Sequence, residues 1–234
     1  MPTFTFPTNP NPLRLFLSYS SENKAIAGQI KTYLENKFCF NVFVAHDDLT
    51  PTKEWQDEII AQLEICDSLI AIVTNEFNIS DWTDQEIGFA LSRKIPIIAV
   101  NFGDVPHGFI AKFQALPSRK IRENWDIQGL CFDIFRLLTA KPDIKEKIFD
   151  GIIFKYGQSI SFSEADDNTS FVMNFSDQYS FAQKNKIIEL ASENSQIYLC
   201  FACRRMLDNF IIAQRDELNP ESIEKYREKV ERGF

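Results

Sequence analysis

The chain has 234 residues, 44% hydrophobic and 25% charged, a balance that suits one large domain, or an ordinary domain with a smaller companion, and argues against wholesale disorder. A formal charge of −8 opposes a general nucleic-acid binder, because neutralising phosphates takes clustered Lys and Arg. With eight Gly and no G-x-G-x-x-G or Walker-type run, the chain also argues against a Rossmann dinucleotide domain and a P-loop ATPase.

Residues 1–12 read as a flexible lead without the charged and apolar regions of a signal peptide. From Leu13 onward, short apolar runs alternate with helical patterns. Strands are expected over Leu13–Ser18, Asn41–Ala45, Leu69–Thr74 and Ile95–Phe102, each nearly continuous in apolar residues, as for strands covered on both faces. The helices between them carry stripes at Ile26, Ile30 and Leu34, then at Trp55, Ile59 and Leu63, and then, from near Thr83, at Ile87, Ala90 and Leu91. Spacings of βαβ size predict an open parallel sheet with helices on both faces.

Residues 103–119 look loop-rich, and a helix follows that carries Ile127, Leu130, Cys131, Ile134, Leu137 and Leu138. Lys141-Pro142-Asp143 reads as a break. Beyond it, Ile144, Ile148, Ile152 and Tyr156 recur before Gly157, a helix end. The polar stretch 158–168 reads as a connection, 184–214 as helix, and Asn219-Pro220-Glu221 as the start of a last charged helix. The expected organisation is a lead over 1–12, an α/β module over 13–141 and a smaller helical module over 142–234. The apolar runs are too short to span a membrane. Cys39, Cys66, Cys131, Cys200 and Cys203 are odd in number and scattered, which suits reduced thiols in a cytoplasmic protein. Cys200 and Cys203 form one C-x-x-C without a second pair or nearby His, so no metal or redox role is expected there.

In an open parallel sheet, ligands favour the crevice at the carboxyl ends of the strands. Three loops converge there: Ser18-Tyr19-Ser20-Ser21, the His46–Thr52 stretch with Asp47 and Asp48, and Asn75–Asp81. Trp82 and Glu86 follow, an aromatic and an acid one helical turn apart. These letters admit two readings. One is a sugar or nucleotide site. The other is a capping box, Thr83-x-x-Glu86, with Trp82 and Ile87 as a hydrophobic staple; the local letters alone favour it. Asp47 and Asp48 read as a solvated loop rather than a Mg²⁺ site, since no acid ends the central strand. His46 and His107 lack an identifiable acid-and-nucleophile set.

Taken in order, these pieces resemble a Toll/interleukin-1 receptor (TIR) domain over roughly residues 13–140. Phe16-Leu17-Ser18-Tyr19-Ser20 is similar to the family's first box, and Val42–Pro51 to its second. Ser80-Asp81-Trp82 with Glu86-Ile87-Gly88-Phe89-Ala90 is similar to its S-x-W-x-x-x-E-x-x-x-A region. Thr52 follows Pro51 where the family usually has Gly, so a differently shaped loop is expected.

The resemblance implies a flavodoxin-like α/β fold and, by its NAD⁺-consuming members, a catalytic role for Glu86. It implies that Trp82, Ser18, Tyr19, Ser20 and Asp48 contact the substrate. NAD⁺ is then the substrate and no separate cofactor or metal is needed. Breaking the nicotinamide–ribose bond gives ADP-ribose or a cyclic ADP-ribose isomer. Further expectations are self-association through TIR domains, a downstream effector that senses the product, a role in bacterial antiphage defence, and no nucleic-acid or membrane partner. The alternative is a non-enzymatic TIR scaffold that binds other TIR proteins or host signalling adaptors. A third reading is a related nucleoside-processing fold such as a deoxyribosyltransferase. The helical module is a sensor, an oligomerisation element or a stabilising extension; its composition does not choose.

Overall fold

The four apolar runs become parallel strands, and a short fifth strand joins them. The computed structural model describes residue 9 and residues 11–44 and 55–233. β1 (Arg14–Ser18), β2 (Asn41–Val44), β3 (Ser68–Val73), β4 (Ile97–Asn101) and β5 (Leu116–Pro117) form one sheet in the order β2-β1-β3-β4-β5, each neighbouring pair parallel. All six residues of β3 are buried, as a central strand covered on both faces requires. A separate antiparallel pair, β6 (Lys120–Ile121) with β7 (Asn124–Trp125), follows. The segment expected to be loop-rich, residues 103–119, therefore holds β5, and β6 and β7 follow directly after it; all three are too short to leave an apolar run in the sequence.

Helices α1 (Lys24–Phe38), α2 (Trp55–Ile65), α3 (Asn75–Asn78), α4 (Asp81–Ser92) and α5 (Ile127–Thr139) flank the sheet. The crossover from β1 to β2 runs one way, and that from β2 to β3 runs back past β1. With right-handed crossovers, α1 and α2 then lie on opposite faces. The packing agrees: α1 contacts α5, and α2 contacts α4. On α1 the buried stripe is Ala27, Ile30, Leu34 and Phe38. Phe38 stacks on Phe135 of α5 with ring centroids 4.5 Å apart, one use of the chain's abundant phenylalanine. The strand order 2-1-3-4-5 is the flavodoxin-like one, and its direction reverses between β1 and β3.

The described chain clusters into two compact units, Pro12–Lys145 and one that includes Glu146–Phe234. Beyond α5 come α6 (Pro142–Gly157), α7 (Phe162–Met173), α8 (Phe181–Glu193), α9 (Ser195–Tyr198), α10 (Phe201–Ala213) and α11 (Pro220–Arg232). Two expectations are corrected. The polar stretch 158–168 is not merely a connection, because α7 begins inside it; its buried stripe, Ala165, Thr169 and Val172, is too small and polar to stand out. The run 184–214 is not one helix. It starts earlier, at Phe181, and breaks at Asn194, whose Oδ1 accepts from Gln196 N at 2.9 Å to cap α9, and again at Cys200, which is extended. Asn219 does cap α11, with Pro220 in its first turn. Among the described residues no helix is long and apolar enough to cross a membrane.

Candidate active site

Ser18 ends β1, and Thr74 follows directly on β3, so both stand beside the point where strand order reverses. Thr74 caps α3: its Oγ1 accepts from Phe77 N at 3.2 Å and donates to Asn23 Oδ1 at 3.0 Å. One hydroxyl thus ties the segment after β1 to the segment after β3. Asn78, at the end of α3, donates to Asp104 Oδ2 at 2.8 Å and to the Val105 carbonyl at 3.0 Å, joining the loop after β4 to the same edge. His107 Nε2 meets the Asn78 carbonyl there. The Val105 N–H and the Asn78 amide hold the Asp104 carboxyl below its ordinary pKa.

The turn into α4 overturns the capping-box reading. Ser80 is the N-cap residue and the helix starts at Asp81 rather than near Thr83. Thr83 lies in the first turn, and its hydroxyl donates back to the Phe77 carbonyl at 2.7 Å and the Ser80 carbonyl at 2.9 Å. Glu86 does not reach back to a free N–H; it belongs to the second turn, and its Oε2 accepts a hydrogen bond from Ser18 Oγ. The proposed staple of Trp82 and Ile87 falls with the cap.

Glu86 is only 6% exposed, yet it lines a cavity of about 280 Å³ between α2 and α4. Gln56, Ile59 and Leu63 form its α2 side, and Trp82, Gln85 and Glu86 its α4 side. Trp82 and Glu86, four residues apart on a helix, share this face. Burial pushes the Glu86 carboxyl up to about 7, and the Ser18 hydrogen bond partly opposes that rise. Among the described residues, Ser18 is its one hydrogen-bonding partner and no cation pairs with it. An acid that titrates near neutrality at the wall of a cavity can exchange a proton or answer a cation at ordinary pH.

The residues expected at the site are only partly brought together. Glu86 and Trp82 meet on the cavity, and Ser18 reaches it through Glu86. Tyr19 is buried and Ser20 half-buried at the start of a short 3₁₀ turn, Ser21–Asn23; neither lines the cavity. Asp48 lies outside the described residues, as do His46, Asp47 and Thr52. Sequence reasoning missed Gln56 and Gln85, two amides on the cavity wall that no local pattern marks. It also missed the clamp by Thr74, for which a Thr just past an apolar run was the available signal.

Among the described residues no group of three or more His, Cys, Asp or Glu is placed to hold a metal ion. Cys200 and Cys203 are both buried, and burial pushes the Cys203 thiol up to about 12, which keeps it in its unreactive protonated form.

A model of the TIR domain family matches residues 15–131, which spans β1 to α5 and includes both Ser18 and Glu86. The chain belongs to the TIR domain family. Its TIR domain is the parallel five-stranded sheet with flanking helices, and a helical part follows it. No curated protein matches the chain. Among solved structures, the TIR domain of the Toll-related receptor TRR-2 from Hydra magnipapillata is similar, with 16% identity and a TM-score of 0.43 over 52% of this chain and 94% of that one. Within this TIR domain, the first box ends β1 with Ser18, and the S-x-W-x-x-x-E segment spans the cap and first two turns of α4.

Proposed function

We propose that this TIR-domain protein cleaves the nicotinamide–ribose bond of NAD⁺, releasing nicotinamide and ADP-ribose or a cyclic ADP-ribose isomer. Glu86 carries the reading: a buried carboxyl with no cationic partner among the described residues, on the wall of a cavity shared with Trp82.

The chemistry follows from the charges. Burial favours the neutral acid, whereas the nicotinamide ring of NAD⁺ is cationic. Its arrival favours the carboxylate. As the bond to nicotinamide breaks, positive charge spreads over the ribose C1′ and ring oxygen, and the bonding electrons leave with nicotinamide. A fixed carboxylate stabilises that oxocarbenium-like state most where charge is greatest. Trp82 offers a flat apolar face for the nicotinamide or adenine ring. Attack on C1′ by water gives ADP-ribose; attack by a group of the same molecule gives the cyclic isomer. NAD⁺ is substrate in this scheme, and no other cofactor enters.

The resemblance of the ordered boxes to the TIR family, some members of which consume NAD⁺, is the ground for a wider role in a bacterium. In it the product serves as a cytoplasmic immune signal in antiphage defence and is read by a separate effector. TIR domains associate through TIR–TIR contacts, and a second copy completing the site is part of the reading.

Incubating the purified chain at high concentration with NAD⁺ and separating the products tests the proposal. Glu86→Gln is expected to lower nicotinamide release roughly a thousandfold with unchanged circular dichroism. Undiminished release removes Glu86 from the chemistry.

A specific observation also favours a scaffold. Ile79, Val105 and Phe109 are 76%, 65% and 75% exposed on segments that Asn78 and the Gly108–Ile110 turn draw together beside α4. Capture of another TIR protein or a host signalling adaptor, lost on substituting Asp48–Thr52 and unaccompanied by NAD⁺ cleavage, supports that alternative.

A further inference from the structure

Ser18 is the last residue of β1, paired with Ala71 of β3, and its side chain has no exposed surface. A group so enclosed has no face to offer a ligand. Its hydroxyl instead donates to Glu86 Oε2, from the sheet side of α4. Among the described residues, the cavity gives Glu86 no other charge to work against. Its described walls are Gln56, Ile59, Ile60 and Leu63 from α2 and Trp82, Gln85 and Phe89 from α4, while the acids of these helices, Asp57, Glu58 and Glu64 on α2 and Asp81 and Asp84 on α4, do not line it.

We propose that Ser18 is a positioning residue: it latches one carboxyl oxygen of Glu86 against the end of β1, and so holds the acid in a single orientation on the cavity wall. It acts through Glu86 rather than on the substrate. A donated O–H favours the carboxylate, so the same bond also sets how much of Glu86 is ionised near neutral pH. The kinetic consequences rest on the NAD⁺-cleavage reading; the titration of Glu86 does not.

The test therefore has two arms on the full chain. In the first, carbon NMR of ¹³C-labelled glutamate, assigned with Glu86→Gln, follows the Glu86 carboxyl against pH. The wild-type midpoint is expected near 7. Ser18→Ala moves it upward, and Ser18→Thr, which keeps a hydroxyl, returns it toward the wild type. An unchanged midpoint in folded Ser18→Ala overturns the proposal. If Ser18→Ala does not fold, Ser18→Cys keeps the volume and weakens the donor; the same upward move is expected, and its absence is equally fatal.

In the second arm, Ser18→Ala lowers kcat for NAD⁺ cleavage roughly 10- to 100-fold and leaves KM within about twofold, the size of one hydrogen bond to a charged group. The acid limb of its pH profile moves up with the NMR midpoint. A raised KM with unchanged kcat marks a substrate contact instead and overturns the positioning role. Should the wild type cleave no NAD⁺, the enzymatic reading falls, while the titration still decides for or against the latch.

Discussion

Lys184 in the helical unit and Glu86 in the TIR domain are both nearly sealed from solvent, at 3% and 6% exposure, yet their partners differ in kind. The Lys184 ammonium donates to Gln214 Oε1 at 2.7 Å and to Glu217 Oε2 at 2.8 Å, a carboxylate and an amide that join α8 to the end of α10 and the turn after it. Glu86 has one hydroxyl and no opposite charge among the described residues. A buried charge whose counter-charge is supplied by the fold is a structural bracket with nothing left to recognise. A buried acid without one keeps its electrostatic demand unmet, and a cationic substrate can meet it.

The largest expected effect on stability lies at Glu86 and runs with pH. Its pKa is raised by burial from the ordinary 4.5 to about 7, so the fold prefers the neutral acid. The stabilisation this gives is complete below about pH 4.5 and is lost as pH rises through 7. Glu86→Gln, neutral at every pH, is therefore expected to gain roughly 3 kcal/mol over the wild type between pH 4 and pH 8. Urea unfolding of both proteins at the two pH values measures this; parallel curves erase the contrast with Lys184.

At Lys184 the expectation is smaller and of another form. Glu217→Ala removes the counter-charge and leaves a buried ammonium with one amide, at a cost of about 2 kcal/mol in thermal or urea unfolding. Lys184→Met removes the charge itself and should stay within about 1 kcal/mol of the wild type. Neither change is expected to alter NAD⁺ turnover, and a loss of turnover in folded protein breaks the division of labour drawn here. Smallest is Thr83→Val, which removes the hydroxyl bonds to the Phe77 and Ser80 carbonyls. It is expected to lower stability by about 1 kcal/mol, read as a lower melting temperature. Because Thr83 is not a cap for Glu86, the Glu86 titration should stay where it is.

The sheet was legible from the chain because a strand buried on both faces must be apolar along its length. β3 illustrates this, with Leu69, Ile70, Ala71, Ile72 and Val73 all sealed from solvent. β5 was not legible, since two residues ending in Pro117 carry no periodicity. The helical unit shows the same limit in another form. Ser161-x-x-Glu164 and Ser180-x-x-Gln183 are genuine helix starts that a polar surrounding concealed. Ser161 Oγ accepts from Glu164 N at 3.2 Å and Glu164 Oε2 from Ile160 N at 3.1 Å, while at Ser180 both halves of the box close.

Thr83-x-x-Glu86 has the same letters and another fate. What the sequence determined by itself was local: apolar runs for strands, stripes for helices, and the order of boxes that marks a TIR domain. It also set Trp82 and Glu86 one turn apart. Tertiary structure alone decided that the Thr83 hydroxyl would meet the Phe77 carbonyl and that Glu86 would turn to Ser18, 68 residues away. The reason is geometric. A cap is judged by its nearest neighbours, whereas the crossovers that set β1 beside β3 bring up the competing partner from a distant part of the chain.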